Sequence, residues 1–235
     1  ARVPGPLLEL LLFLAFAATY PSIPVARPQL FSLVCFALLL HAQARAIEGS
    51  TTALVVVPPL LAVWANLHGA WLLGLSELGL WLVVEWLAAT GDWPRRARLA
   101  GVGFATVAAT LATPYGIGLW TQLWHSMGTS LRDVTEWRGL WETGSPAVVV
   151  WFALVALGAY VARGGARPSH VAVLVWLAFA SWRIRRTLPF FGLATIGLLA
   201  PQCAMLTRRR PIGPLTSRAA LPGWLRAALL SAAAA

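Results

Sequence analysis

Eight apolar runs follow one another along this chain, and the short stretches between them hold most of its arginines. A helix needs roughly 17–25 apolar residues to cross a hydrocarbon core of about 30 Å, and the runs approach this length although several are short. Inside lipid every backbone polar group must be satisfied, which favours helices over open sheets. We predict an all-α transmembrane bundle of about eight spans, at residues 3–20, 28–44, 51–65, 69–89, 99–113, 146–162, 170–182 and 187–206.

The composition agrees with a membrane protein. Of 235 residues 59% are hydrophobic and 11% charged, and the mean hydropathy is +0.73, which leaves too little polar surface to cover a water-soluble globule. The net charge of +10 comes from arginines scattered between the runs. Such scattering indicates membrane lipids as partners and not nucleic acid. Cys35 and Cys203 lie within or at the end of apolar runs and are interpreted as packing residues.

The arginines predict an orientation. With alternating spans, the N-terminus, the loops at 45–50, 90–98 and 163–169 and the C-terminal tail share one side, which carries twelve of the eighteen arginines. The positive-inside rule makes this side cytoplasmic. The chain is thus predicted to have a transmembrane helical domain at 1–206 and a cytoplasmic tail at 207–235 able to form one surface helix.

A polar break, VWANLHGAW at residues 63–71, separates the third and fourth runs. We predict that Asn66 caps the fourth helix, with contact to a substrate hydroxyl as the alternative. His68 fits four roles: a turn residue, a substrate contact, a general base, or a metal or pigment ligand. No second ligand lies at metal-site spacing and no phosphate-binding glycine loop is present, so we predict no cofactor and leave a divalent metal open.

The longest stretch between spans, residues 114–145, is predicted to hold an interfacial amphipathic helix and a polar extracytoplasmic loop. Apolar residues recur at 119, 120, 123, 124 and 127, which is helical spacing. Trp120 and Trp124 are expected at head-group depth. In the loop, Asp133 and Glu136 could activate an acceptor hydroxyl, or they are solvated carboxylates. With His68 they are weak catalytic candidates, and the catalytic residue stays unknown.

Four arginines fall on the less basic side of the predicted topology, which is the side of His68. They are Arg27, Arg183, Arg185 and Arg186. A guanidinium binds two phosphate oxygens at once and stays charged, so a group of them suits a lipid-linked phosphate. The alternative is that these side chains extend to lipid head groups and simply end their helices.

Charged and kinking residues also occur within the runs. Glu77 and Glu85 lie in the fourth run, where a carboxylate serves a proton relay, stays protonated, or pairs with an arginine of another helix. Pro58 and Pro59 lie in the third run and are predicted to kink it.

Five short motifs resemble a known class. They are RPQLFS at 27–32, WANLHG at 64–69, TPYG at 113–116, EW at 136–137 and RIRRTLP at 183–189. Together they resemble the C-terminal two-thirds of a group of bacterial multi-span proteins similar to the GT-C class of glycosyltransferases. The resemblance implies an inner-membrane protein that binds a polyprenyl-phosphate-linked sugar on its extracytoplasmic face. Arg27, Arg183, Arg185 and Arg186 would hold phosphate, and Asn66 and His68 would contact sugar or acceptor.

One feature departs from that class. GT-C enzymes carry an acidic catalytic residue in the first extracytoplasmic loop, and residues 21–29 contain no Asp or Glu. Either an N-terminal catalytic part precedes this chain, which we expect, or the chain is not a competent transferase. Two other functions stay open: a non-catalytic accessory subunit of a larger photosynthetic or respiratory membrane complex, with partner membrane subunits, and a transporter that uses Glu77 and Glu85.

Overall fold

A computed structural model describes residues 5–20, 28–50, 52–127, 137–143 and 146–208. These residues form nine α-helices and no β-strand, so the all-α prediction is confirmed for them. The helices are α1 (Pro6–Thr19), α2 (Gln29–Ile47), α3 (Val57–Leu67), α4 (Trp71–Ala88), α5 (Trp93–Ala109), α6 (Ile117–Met127), α7 (Ala147–Ala162), α8 (Pro168–Arg183) and α9 (Leu188–Arg208).

Every predicted span overlaps one α-helix, and α6 lies in the stretch predicted to hold the amphipathic helix. Within the described residues, α2 and α4 are long and apolar enough to cross a membrane. The segments Pro6–Thr19, Ala53–Leu67 and Ala147–Ala162 are apolar but shorter. The tail predicted from residue 207 begins slightly later, because α9 continues to Arg208, and the rest of that tail lies outside the described residues.

The third predicted span contains two elements. A 3₁₀ helix, Ala53–Val56, leads into α3, and Pro58 and Pro59 occupy the first turn of α3. Proline is tolerated there because the first turn of a helix has no intrahelical partner for its N–H groups. The predicted kink inside the span is therefore wrong: the two prolines start a helix.

The α6 helix packs on the bundle through only part of its apolar face. Trp120 donates from Nε1 to Thr110 Oγ1 (3.1 Å) and lies edge-on to Trp71 (5.2 Å between ring centroids). Trp124, one turn later, is 79% exposed. The two tryptophans predicted to act as a pair thus have different surroundings.

The core of the bundle is built around α9, which packs against α1, α2, α7 and α8. Its Phe190 lies edge-on to Phe36 of α2, with 5.3 Å between ring centroids, and Phe36 is 6.4 Å from the ring of Trp64 in α3. All three side chains are almost fully buried. This aromatic column joins the beginnings of α2 and α9 to the end of α3, where the candidate site lies.

Trp64 also sets how closely α3 approaches α4. Its ring lies close to Gly74 of α4, and a Cβ added to Gly74 would overlap ring carbons Cζ3 and Cη2 of Trp64. Protein interiors are packed densely enough that a ring in this position cannot simply move aside. Gly74 is therefore required for the close contact that holds the turn between the two helices.

We predict that Gly74→Ala destabilises the protein by about 1–3 kcal/mol, the usual cost of overpacking a core. Thermal unfolding in detergent should show this as a lower Tm. Gly79→Ala is the matched control, since a Cβ on Gly79 in the same helix meets nothing within 4 Å. It should be neutral or should stabilise by up to about 1 kcal/mol through helix propensity. Equal Tm values for the two variants would contradict the packing argument.

Candidate functional site

Three chain segments meet at one end of the bundle. They are the start of α2, the turn between α3 and α4, and the turn between α8 and α9. His68 ends α3 in an extended conformation (φ −166°, ψ 141°), and Ile184 ends α8 in the same way (φ −138°, ψ 105°). A 3₁₀ helix, Arg185–Thr187, then leads into α9. Both extended residues stop a helix abruptly, so the polar residues beside them are held at the surface of the bundle.

A chain of hydrogen bonds joins the three segments, and we call it the polar chain. Trp64 Nε1 donates to Ser32 Oγ (2.8 Å), and Ser32 Oγ lies 2.7 Å from His68 Nδ1. On the other side of the ring, Arg186 NH2 lies 2.9 Å from His68 Nε2. Gln29 of α2 donates to the backbone carbonyl of Arg186 (3.2 Å). These bonds fix the imidazole between α2, α3 and the start of α9.

The partners of His68 determine its tautomer. A guanidinium has only donors, so Nε2 must present a lone pair to Arg186. A neutral ring then carries its proton on Nδ1 and donates it to Ser32 Oγ. The backbone N–H of Ala70 also approaches Nδ1, at 3.4 Å, but this contact is too long to compete with the 2.7 Å bond to Ser32. In this arrangement His68 is not a free base, because Arg186 occupies the nitrogen that would accept a proton.

The polar chain borders a cavity of about 690 Å³. Six polar residues line it, Gln29, His68, Ser76, Arg183, Arg186 and Thr187, and most of the remaining wall is apolar. The apolar part comes mainly from α4, α6, α8 and α9 and includes Leu72, Leu73, Leu123, Trp176, Phe179 and Phe190. A cavity of this size with a few convergent polar groups is typical of a small-molecule or cofactor site.

Aromatic rings accompany both arginines of the cavity. The guanidinium carbon of Arg186 lies 5.9 Å from the ring centroid of Trp137, and that of Arg183 lies 5.7 Å from the centroid of Trp141. At these distances the ring quadrupole attracts a cation and limits its movement. The two guanidinium groups are thereby kept at the cavity.

Burial and the neighbouring charge keep His68 neutral. Burial of the ring lowers the pKa of His68 below its ordinary value of 6.5, and the Arg186 guanidinium lowers it further. Both causes act in the same direction, since each disfavours the imidazolium. The neutral ring and the donor–acceptor pattern of the polar chain are therefore consistent with each other.

The structure brings together three of the predicted site residues and leaves others elsewhere. His68, Arg183 and Arg186 line the same cavity. Arg185 is not among its lining residues, and its backbone N–H donates to the carbonyl of Arg138 (3.1 Å). Three further predicted residues lie outside the described residues, so nothing is said of their positions: Arg27, Asp133 and Glu136.

Asn66 does not have the predicted cap role. The α3 helix continues to Leu67, and the residue before α4 is Ala70, whose side chain provides no cap. Asn66 Nδ2 instead donates to the carbonyls of Ala62 (2.8 Å) and Ala112 (2.9 Å). It thus ties the end of α3 to the end of α5, and it is not among the residues that line the cavity.

Glu77 and Glu85 lie on the buried face of α4, away from the cavity walls. Gln43 Nε2 donates to Glu77 Oε2 (3.0 Å). Glu85 accepts from Ser169 Oγ (2.6 Å) and pairs with Arg95 (2.6 Å) and Arg167 (3.4 Å). Glu85 therefore pairs with arginines from outside α4, which is one of the structural alternatives to a proton relay, and Glu77 has a hydrogen bond from Gln43.

Sequence reasoning did not assign roles to Gln29, Ser32 and Trp64, which hold the site in place. All three are nearly or fully buried. Gln29 and Ser32 are three residues apart and so share one face at the start of α2, next to an apolar surface. A polar pair at helical spacing in an otherwise apolar run is the signal that could have identified them.

We predict that lowering the pH destabilises this end of the bundle through His68. The pKa of His68 is lower in the folded protein than in the unfolded chain, so its contribution is complete above about pH 6.5 and is lost as the pH falls below that value. Tm should be followed between about pH 8 and pH 5. The Tm of His68→Gln should fall less over this pH range than the Tm of the unmodified protein. His41→Gln replaces an exposed histidine of α2 outside the polar chain and is the matched control. Equal slopes for all three proteins would be inconsistent with a neutral His68.

Comparisons with known proteins do not identify a family for this chain. A scan against protein-family models found no matching model, and searches of curated proteins and of solved structures found no match. Among the described residues, no group of three or more His, Cys, Asp and Glu side chains could hold a metal ion. The observations that bear on function are therefore the cavity and the sequence motifs that resemble the GT-C class.

Proposed function

We propose that this protein is a multi-pass membrane protein that binds a polyprenyl-phosphate-linked sugar, in the manner that its resemblance to GT-C glycosyltransferases implies. One observation carries the proposal: an apolar cavity whose polar wall holds two arginines and a neutral histidine. A lipid phosphate has the same division, with an anionic head and an apolar chain. The cavity and the ligand are thus complementary in both parts.

The phosphate would be bound by Arg183 and Arg186. Arg183 is exposed at the end of α8 and can meet an approaching anion first. Arg186 is half-buried, and its bond to His68 directs the guanidinium along the cavity wall. Charge-assisted hydrogen bonds from a guanidinium to phosphate are short and about twice as strong as neutral ones. A neutral His68 adds no repulsion to Arg186 while the ligand enters.

The isoprenoid chain would lie along the apolar wall made by α4, α6 and α8. The Ser76 hydroxyl in this wall accepts from Trp176 Nε1 (3.3 Å) and donates to the carbonyl of Leu73 (2.8 Å). Its polar atoms are therefore satisfied within the protein, and the wall presents carbon to a ligand. A chain that binds there from the bilayer would exchange contacts with lipid tails for packing contacts with this wall, since both surroundings are apolar.

The membrane placement belongs to the same proposal. We place all eight apolar helices in the bacterial inner membrane, with α6 at the extracytoplasmic surface and the arginine-rich loops in the cytoplasm. The length of α2 and α4 supports this, and the shorter helices require a locally thinned bilayer. The cavity then opens on the extracytoplasmic side, which is where carriers of the GT-C type present their sugars.

Sugar transfer would need a base for the acceptor hydroxyl. His68 is poorly placed for this task while Arg186 holds its Nε2. Glu136 directly precedes Trp137, which lines the cavity, and Asp133 lies three residues earlier. We propose these two carboxylates, in preference to His68, as the base of a transferase.

The alternative is an accessory subunit of a larger membrane complex. Such a subunit needs extended apolar faces and has no use for a cationic cavity. The exposed apolar side chains of α1 and α2, among them Phe13 and Phe31, serve either lipid or a partner subunit and do not separate the two functions. The cavity is the reason to prefer ligand binding.

We predict that Arg183→Gln weakens binding of a polyprenyl phosphate about tenfold, the cost of one charge-assisted hydrogen bond. Arg185→Gln is the matched control. Arg185 is two residues from Arg183 in the chain and carries the same charge, but it is not among the residues that line the cavity. Its affinity should stay within about twofold of the unmodified protein. Affinities can be measured by native mass spectrometry of the purified protein with a short polyprenyl phosphate.

The neutral polyprenol provides a second control. If the phosphate is recognised, the alcohol should bind at least tenfold more weakly than the phosphate and should not respond to Arg183→Gln. Equal affinity for both lipids, or an equal loss in Arg183→Gln and Arg185→Gln, would remove the basis for a phosphate site.

The proposed topology gives a separate prediction. Tyr115, 74% exposed between α5 and α6, should face the extracytoplasmic side, and Thr90, exposed between α4 and α5, should face the cytoplasm. In intact spheroplasts an impermeant maleimide should label Tyr115→Cys and not Thr90→Cys, and both should react after lysis. Cys35 and Cys203 are buried, so the background should be low. The reverse pattern would invert the topology.

A further inference from the structure

The opposite end of the bundle contains a second cavity, of about 370 Å³, with a different lining. It lies where α2 ends and where α5 and α8 begin, and we call it the arginine cavity. Arg95, Arg98 and Arg167 line it together with Asp92 and Ser50. Its volume is an order of magnitude larger than the ~30 Å³ that one water molecule occupies in the liquid, so it has room for a polar group larger than water.

Two of these arginines are held in place by one buried carboxylate. Glu85 is only 3% exposed, and its Oε2 lies 2.6 Å from Arg95 NH2 and 3.4 Å from Arg167 NH2. Its Oε1 accepts from Ser169 Oγ (2.6 Å) and from Arg167 Nε (3.4 Å). Each guanidinium has five N–H donors, so both retain donors beyond those that Glu85 uses. Glu85 thus orients the pair without saturating it.

The third arginine adds an excess of positive charge. Arg98 is exposed at the cavity and has no ion-pair partner within the part of the chain that the structure describes. Asp92 is the acidic residue of the lining, and its Oδ1 accepts from the backbone N–H of Arg95 as the N-cap of α5. Three guanidinium groups therefore face two carboxylates. The positive ends of the α5 and α8 dipoles point to the same place.

From this arrangement we infer that the arginine cavity binds a phosphate group, as a lipid head group or as free phosphate. Basic pockets between helices at the cytoplasmic side of membrane proteins are suited to anionic head groups. Arginine is the suitable residue because its fork binds two oxygens of one phosphate. The inference does not depend on the lipid-phosphate function proposed for the 690 Å³ cavity, since the two sites share no lining residue.

The test measures binding of two probes to the full chain. In one arm the protein is placed in phosphatidylcholine nanodiscs with or without phosphatidylglycerol, and the phosphatidylglycerol retained after extraction is counted by native mass spectrometry. In the other arm, radiolabelled inorganic phosphate is titrated in pure phosphatidylcholine. Retained phosphatidylglycerol without phosphate binding identifies a lipid source, and phosphate binding identifies a soluble one.

Arg98→Gln should lower the affinity for the bound probe about tenfold. Arg96→Gln is the matched control: Arg96 is on the same helix but stacks on Trp86 (4.5 Å to the ring centroid) and is not among the lining residues. Its effect should stay within about twofold. If Arg98→Gln does not fold, Arg98→Lys keeps the charge without the fork and should lower the affinity by a smaller factor. Absence of binding in both arms, or equal losses in Arg98→Gln and Arg96→Gln, would overturn the inference.

Discussion

The hydrogen bond between Ser32 and His68 is the contact on which the candidate site depends. It joins α2 to the turn between α3 and α4, and through the imidazole it reaches Arg186 at the start of α9. In an apolar bundle an unpaired buried polar group costs roughly 1–3 kcal/mol, so each member of the polar chain requires the next. The cavity wall therefore owes its shape to polar contacts, although most of its surface is carbon.

The helices could be predicted from the sequence, because apolar runs of helical length separated by arginine, proline and glycine leave few alternatives. The error at Pro58 and Pro59 has a local cause: proline favours a first turn over a kink, and a run of apolar residues does not mark where the first turn begins. Asn66 was misassigned because α3 continues past it to Leu67. The position of the helix end thus decides which backbone carbonyls the side-chain amide of Asn66 can reach.

The site was only partly predictable for a different reason. His68 and Arg186 are 118 residues apart, and no periodicity connects them. Arg183, Arg185 and Arg186 looked equivalent in the sequence, and only the end of α8 and the following 3₁₀ helix separate them. A short turn sends neighbouring side chains in different directions, so the members of a charged motif have to be assigned one at a time.

Under the proposed function, the contact between Arg186 and His68 would also affect how readily a bound anion leaves. The neutral imidazole offers the lone pair of its Nε2 to the guanidinium when no anion is there. If the anion takes the place of the imidazole, its arrival exchanges one acceptor for another, and its departure restores the bond to His68. Such an exchange would cancel part of the gross attraction, lower the affinity and shorten the residence time, which suits a protein that hands its lipid onward.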